Sequence, residues 1–419
     1  MTAAGPAVAH REVVCPFCAL ACDDLSVAAE GPRLLVKERG CARSEQAFAL
    51  PVGDPHPLVG GLPADLDRAL ARAAELLASS RLPLFAGLGT DTGGMRAVMR
   101  LAERTGGIVD HAGAAGLFPN LLAMQSGGGI TTTLAEVRNR MDLLLLVGTD
   151  AARLMPRFFE RCVWPKDALL RDALERRKVV YLGEPRRFEE GDVEIVECRA
   201  ERLGEAIGAL RVLTAGGRLR AEQVAGIGID RLRDLAKRLE GARYAVIAWA
   251  AGELPAPHAD LLVGGIAALI RTLSAATRCV GLPLAGHDNT IGANQICSWQ
   301  SGLPLRTSFA SGAPDYDPHC HASARLLERG DADLLVWITS FSALPAPATD
   351  RPTIVLGRAG AAFEPAPEVF VPVGTPGLDH AGSLYRTDGV VAMPLRKLRE
   401  TGLSSVAEIL SRIERHLPG

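Results

Sequence analysis

Four cysteines crowd the start of the chain: Cys15-Pro-Phe-Cys18-Ala-Leu-Ala-Cys22, then Gly40-Cys41, a C-x2-C-x3-C-x18-C spacing. A short turn aims three thiolates at one point, and a fourth returns from a hairpin. Four thiolates suit a [4Fe–4S] cluster, in which each iron takes one protein sulfur. They also suit tetrahedral zinc, although zinc ligands come as two paired knuckles more often than as a triplet plus one. A third reading leaves Cys15, Cys18, Cys22 and Cys41 as unligated thiols. The remaining cysteines, Cys162, Cys198, Cys279, Cys297 and Cys320, are scattered, as buried thiols of a reducing compartment are.

Weaker signals lie elsewhere. His319-Cys320-His321 sets two imidazoles on one face of an extended segment. A Pro- and Asp-rich stretch precedes it and no third ligand has a clear spacing, so it reads as a surface loop. Ser126-Gly-Gly-Gly129 suits close backbone packing better than phosphate binding. Arg386 and Asp388 can pair to stiffen their loop. Arg43, just after Cys41, either tunes a cluster by its charge or is solvated. Ser44 carries no signal, and without a G-x-S-x-G elbow serine hydrolysis has no support.

The elements that must position these residues alternate. Asp65–Ser79, Met95–Glu103 and Leu134–Arg140 have helical patterns. Apolar strands end in glycine at Leu82–Gly87, Asp142–Gly148 and Lys178–Gly183. Arg218–Leu239 is charged and mostly helical, and leads to a second strand series: Tyr244–Trp249, Cys279–Pro283, Asp333–Ile338, Pro352–Gly357 and Val369–Val373. Strands apolar on both faces belong to parallel sheets covered on both sides. The expected fold is α/β, with two Rossmann-like parallel-sheet domains and a small N-terminal Cys-cluster domain. The expected boundaries are 1–55 for the Cys cluster, closed by the linker Pro51–Pro57, 56–240 for the first α/β domain, and 241–419 for the second with a C-terminal loop.

Composition narrows the function. A net charge of −2 with interspersed signs gives no field for nucleic acid or an anionic membrane, and 5% aromatic residues make a base-stacking surface unexpected. The longest apolar run, Leu261–Ile270, is roughly half a membrane span. Met1–His10 lacks a basic n-region followed by an apolar h-region, so a cytoplasmic protein is expected.

Several segments together resemble a known family. Val14–Leu25 is similar to the opening of the B subunit of formylmethanofuran dehydrogenase, a molybdopterin oxidoreductase. Leu134–Asp142 followed by an apolar strand, Met155-Pro-Arg157, Asn294–Pro304 with its Trp-Gln-Ser-Gly, and Gly377–Gly389 with its Tyr-Arg-Thr-Asp-Gly resemble further family segments. Gly281–Thr290 resembles the cofactor-facing loop. The resemblance implies a Cys-His pair between Val109-Asp110 and Pro119, the Cys ligating molybdenum or tungsten; those places hold Gly116 and Leu117. It also implies an Arg before a Gly, where Ser311 stands. Glycine has no side-chain donor, Leu moves no proton, and Ser supplies no cation.

This pattern is similar to the B subunit of the bacterial formyltransferase/hydrolase complex. The resemblance implies a redox-inactive, mainly structural subunit assembled with A, C and D subunits. The pathway is tetrahydromethanopterin-linked one-carbon metabolism, from formaldehyde to formate. The cysteine spacing makes a [4Fe–4S] cluster on Cys15, Cys18, Cys22 and Cys41 the expected group, with zinc and an empty quartet as the other readings, and the missing donors imply no molybdenum or tungsten pterin. The alternatives are a dehydrogenase-type oxidoreductase and an Fe–S electron-transfer subunit.

Overall fold

The computed structural model describes residues 8–189, 191–255 and 257–418. The first seven residues of the expected 1–55 segment, and most of the stretch read for a leader, lie outside them. The chain forms two compact units, 1–114 with 286–419, and 115–285.

The first unit begins with the antiparallel sheet β1 (Val8–Val13), β2 (Leu25–Glu30) and β3 (Arg33–Glu38), followed by α1 (Ala42–Ala49). Leu25, Val27, Leu34 and Phe48 are buried beneath them, and Phe17 meets Phe48 edge-on at 5.3 Å. The linker expected over Pro51–Pro57 has no regular structure. It is pinned nonetheless, since a Cβ on Gly53 would sit 2.3 Å from the Ala359 carbonyl oxygen.

The hairpin β4 (Leu58–Val59) and β5 (Leu62–Pro63) leads to α2 (Leu66–Ser79), whose first turn is capped by the Asp65 carboxylate. Then come β6 (Pro83–Gly89), α3 (Thr92–Thr105), capped by Asp91 and ended by left-handed Gly106, and β7 (Ile108–Val109).

The second unit is inserted here. It holds α4 (Ala114–Gly127), α5 (Leu134–Arg140), β8 (Leu143–Val147), α6 (Ala151–Leu154), α7 (Arg171–Glu175), β9 (Lys178–Gly183), β10 (Val193–Glu197) and α8 (Leu203–Thr214). The small hairpin β11 (Gln223–Val224) and β12 (Ile227–Gly228), α9 (Ile229–Gly241), β13 (Ala245–Trp249), α10 (Ala259–Ser274) and β14 (Cys279–Pro283) complete it. Its sheet is parallel throughout, in the order β10-β9-β8-β13-β14. The first strand is central and the chain winds outward in both directions. Leu145, Val180 and Ile247 lie in its core with Ile207 and Leu210 of α8 and Ile266 and Leu269 of α10.

The first unit resumes with α11 (Thr290–Ser301), β15 (Thr307–Ser308), β16 (Asp315–Tyr316), α12 (Ser323–Glu328), β17 (Leu334–Thr339), β18 (Thr353–Arg358), β19 (Val369–Val373), the hairpin β20 (Gly382–Tyr385) and β21 (Ala392–Leu395), and α13 (Val406–His416). Its nine-stranded sheet runs β16-β15-β7-β6-β17-β18-β19-β4-β5, parallel from β7 to β19 and antiparallel at both edges. α13 buries Val406, Ile409, Leu410 and Ile413, an i, i+3, i+4, i+7 stripe, and packs on α2 and α3.

The fold is thus mixed α/β with parallel sheets, as expected. Its partition differs from the boundaries 1–55, 56–240 and 241–419. β13 pairs with β8 across the expected break at 240/241, and β6 pairs with the distant β17. Fully apolar strands specify a buried parallel sheet but not which sheet, so an inserted unit is invisible to periodicity. Arg218–Leu239 is a hairpin followed by a helix, because Gly226 and Ala225 take left-handed turn conformations.

Among the described residues no helix is long and apolar enough to cross a membrane.

Candidate functional site

The β1–β2 connection carries three of the four cysteines. The Cys15 N–H donates to the Cys22 carbonyl at 2.8 Å and the Ala21 N–H to the Cys18 carbonyl at 3.1 Å, with Ala21 left-handed at φ 45°. The segment therefore closes on itself. Cys41 arrives at the start of α1, where its N–H donates to Ser44 Oγ at 2.8 Å and Ser44 donates back to the Cys41 carbonyl at 2.9 Å. Ser44, which carried no signal in the sequence, fixes the fourth cysteine. The signal available was its place three residues into a helix.

Cys15, Cys18 and Cys22 are buried and Cys41 half-buried. Burial pushes the Cys15 thiol well up, and Cys18, Cys22 and Cys41 push it further while the Phe17 N–H opposes them. Burial likewise raises Cys18, against hydrogen bonds from the Leu20 and Ala21 N–H groups and the charge of Arg43. The four sulfurs thus share one electrostatic neighbourhood. Among the described residues no three His, Cys, Asp or Glu side chains are gathered so as to hold a metal ion. A [4Fe–4S] cube places each sulfur on a different iron, so its ligands stand wider apart than around one ion. Four soft donors backed by N–H groups fit such a cluster.

A cavity of about 590 Å³ is lined by Phe17 and Arg43 from the cysteine-bearing segments, His111 after β7, His287 and Asp288, Phe341 and Ser342 after β17, and Arg358 at the end of β18, among others. Strained backbone gathers around it: Leu88, Asp288 and Asn289 have φ of 57°, 50° and 60°. Their side chains and neighbours hold the strain. Asn289 donates to the Thr90 carbonyl and accepts the Tyr385 N–H, both at 3.0 Å, and Ser342 donates to the Asp288 carboxylate at 2.7 Å.

His111 Nδ1 accepts the Gly113 N–H at 2.8 Å, so Nε2 carries the proton and donates to the Asp288 carbonyl at 3.1 Å. Burial pushes its pKa down, opposed by that hydrogen bond and by the charges of Asp288 and Asp110. His111 is therefore a neutral positioning group with both ring nitrogens in use. Sequence reading passed over it, although it directly follows β7 and Asp110. Arg358, whose pKa is lowered by burial and then by Arg399, adds a desolvated cation to the lining that Arg43 also joins.

The three departures from the family pattern fall in different units. Gly116 and Leu117 occupy the first turn of α4 in the second unit, where Gly116 is half-buried and Leu117 is buried. Ser311 is an exposed turn residue of the first unit, donating to the Ala313 carbonyl at 3.2 Å. Gly116, where the resemblance places a sulfur ligand for molybdenum or tungsten, has no side chain to offer one.

The lesser signals resolve simply. His319-Cys320-His321 lies in a turn organised by the Asp317 carboxylate, which accepts the His319 and Cys320 N–H groups at 2.8 and 2.7 Å. Arg386 pairs with Asp388 at 3.0 Å. Gly127 and Gly128 end α4 under Arg271, which donates to both carbonyls.

No protein-family model matches the chain. It is 27% identical to the B subunit of the tungsten-containing formylmethanofuran dehydrogenase 2 of Methanococcus maripaludis, over 96% of this chain and 97% of that protein. It is 34% identical to the B subunit of the formyltransferase/hydrolase complex Fhc of Methylorubrum extorquens, over 86% of this chain and 97% of that protein. A chain in the crystal structure of that complex (FhcABCD), determined with methylofuran bound, matches at TM-score 0.75 and 30% identity, covering 86% of this chain and 98% of that one. Acetylene hydratase from Pelobacter acetylenicus, 13% identical with TM-score 0.62 over 97% of this chain and 70% of that one, shares the fold alone. Expected from local motifs and now matched over nearly the whole of its relatives, the chain belongs to the family of formylmethanofuran dehydrogenase B subunits, which includes that of Fhc.

Proposed function

We propose that the chain is the redox-inactive, mainly structural B subunit of a formyltransferase/hydrolase complex. It assembles with A, C and D subunits in tetrahydromethanopterin-linked one-carbon metabolism. The carrying observation is Gly116, with Leu117 beside it, in the first turn of α4 of a chain that otherwise keeps the family's fold. Without a side-chain sulfur the chain offers no ligand to the metal, and without an imidazole next to it no proton carrier. Ser311 removes the substrate-side cation on the same reasoning. The higher identity to the Fhc protein than to the dehydrogenase supports the same assignment.

Cys15, Cys18, Cys22 and Cys41 hold a [4Fe–4S] cluster in this reading. The group would supply one-electron chemistry when bound. The chain's own part is to bury three thiolates, direct the Phe17, Leu20 and Ala21 N–H groups at two sulfurs, and set Cys41 with Ser44. These contacts also support a second reading, in which the protein relays electrons through the cluster.

The test is the complex co-expressed with its A, C and D partners and purified without oxygen. It should release formate from formyl-tetrahydromethanopterin and give no dye reduction with a formylated furan carrier. Dye reduction with that carrier contradicts the redox-inactive reading. A cluster reduced by a partner during turnover establishes the second.

A further inference from the structure

A doubly wound parallel sheet binds dinucleotides outside the strand ends where its winding reverses, with pyrophosphate on the N–H groups of the first loop. In the second unit that reversal lies between β8 and β13. The two loops there are occupied by each other. Thr149, fully buried after β8, accepts the Ala250 N–H from the β13 loop at 2.7 Å. The Asp150 N–H, which should face a phosphate, donates instead to Glu253 Oε2 at 2.9 Å. The other oxygen of Glu253 takes the Arg153 guanidinium. Arg186 is committed to the Asp150 carboxylate at 2.9 Å.

We propose that Glu253 is an internal stand-in for phosphate, sealing the dinucleotide crevice of the second unit with the chain's own carboxylate. Glu253 ends a short turn, Ala251–Glu253, that a glycine pair holds in place: a Cβ on Gly252 would lie 3.2 Å from the Gly116 Cα. The residue standing where the family carries its metal ligand is thus the one on which the sealing turn rests. Outside the seal a hollow of about 470 Å³ remains, with Asp150, Glu184 and Glu253 against Arg153 and Arg186. An excess of carboxylates repels a second anion. Glu184, after β9 where a ribose-binding acid belongs, already accepts the Ala200 N–H at 3.0 Å. The inference goes beyond the scaffold reading, because a redox-inactive protein could still carry a nucleotide.

The experiment is calorimetric titration of the full chain with inorganic pyrophosphate and with ADP. The wild type shows no saturation up to about 1 mM, a weak-affinity limit. Glu253→Ala turns the Asp150 N–H and Arg153 toward the hollow and raises pyrophosphate affinity at least ~10-fold, about 1.4 kcal/mol. Should that variant fail to fold, Glu253→Gln keeps an acceptor for the Asp150 N–H while removing the charge, and shows a gain in the same direction. Wild-type binding near ~10 μM, or a folded variant binding no tighter than wild type, overturns the seal. Either result leaves the scaffold reading intact, since neither ligand brings a metal.

Discussion

Replacing Asp379 with Ala strands a buried cation. The Asp379 and Arg399 side chains are 3% and 2% exposed, joined by Arg399 Nε donating to Asp379 Oδ1 at 2.6 Å. Asp379 Oδ2 also accepts the Thr375 N–H at 2.7 Å. Arg399 Nη1 donates to the Pro32 carbonyl at 3.0 Å and the Leu50 carbonyl at 3.4 Å, so the pair ties the β2–β3 turn and the end of α1 to the C-terminal segment. Removing one partner of such a pair costs about 3–5 kcal/mol, because the survivor stays charged and desolvated. That is roughly a hundred- to several-thousandfold shift in the unfolding equilibrium of the first unit. Urea denaturation followed by tryptophan fluorescence reads it, with Arg399→Met and the double variant completing a cycle. The double variant should recover most of the loss, since apolar replacement of both charges is far cheaper. The β1–β3 segment should also become more sensitive to protease than the second unit. A loss below about 1 kcal/mol, as surface pairs give, refutes the reasoning.

Three further outcomes follow from the geometry. Cys18→Ala in the anaerobically purified complex should lose most of its iron and visible absorbance while keeping its far-ultraviolet dichroism; unchanged iron would count against the quartet. Gly53→Ala should lower stability by about 1–3 kcal/mol, because the new methyl meets the Ala359–Gly360 backbone; a free linker would tolerate it. Burial raises Cys279 from 9.0 to about 12 in the folded chain. Its stabilising effect is complete below pH 9 and is lost as pH rises toward 12, since the unfolded thiol ionises first. Stability measured between pH 9 and 11 should fall less steeply in Cys279→Ala than in the wild type.

What the sequence disclosed, and what it hid, follow from the range of each interaction. Strands such as Lys178–Gly183 and Cys279–Pro283 matched residue for residue, because apolar runs bounded by charge or glycine are local signals. Membership of a sheet is not local: the pairing of β6 with β17 joins residues some two hundred and fifty apart, and no periodicity encodes it. The cysteine spacing is a local signal. The contacts that shape the site are not local: Ser44 capping Cys41, and His111 locked by the Asp288 carbonyl, emerge only once helix starts and left-handed turns are placed. In the sequence Gly116 stands out only through the family resemblance; its packing against Gly252 depends on backbone approach between α4 and the turn after β13, which no local pattern encodes.

Elemental analysis of the intact complex, purified without oxygen, tests the central claim most directly. The predicted result is a [4Fe–4S] cluster's complement of iron and sulfide for each copy of this chain, with neither molybdenum nor tungsten. Stoichiometric molybdenum or tungsten on this chain would contradict it and return the protein to the dehydrogenases.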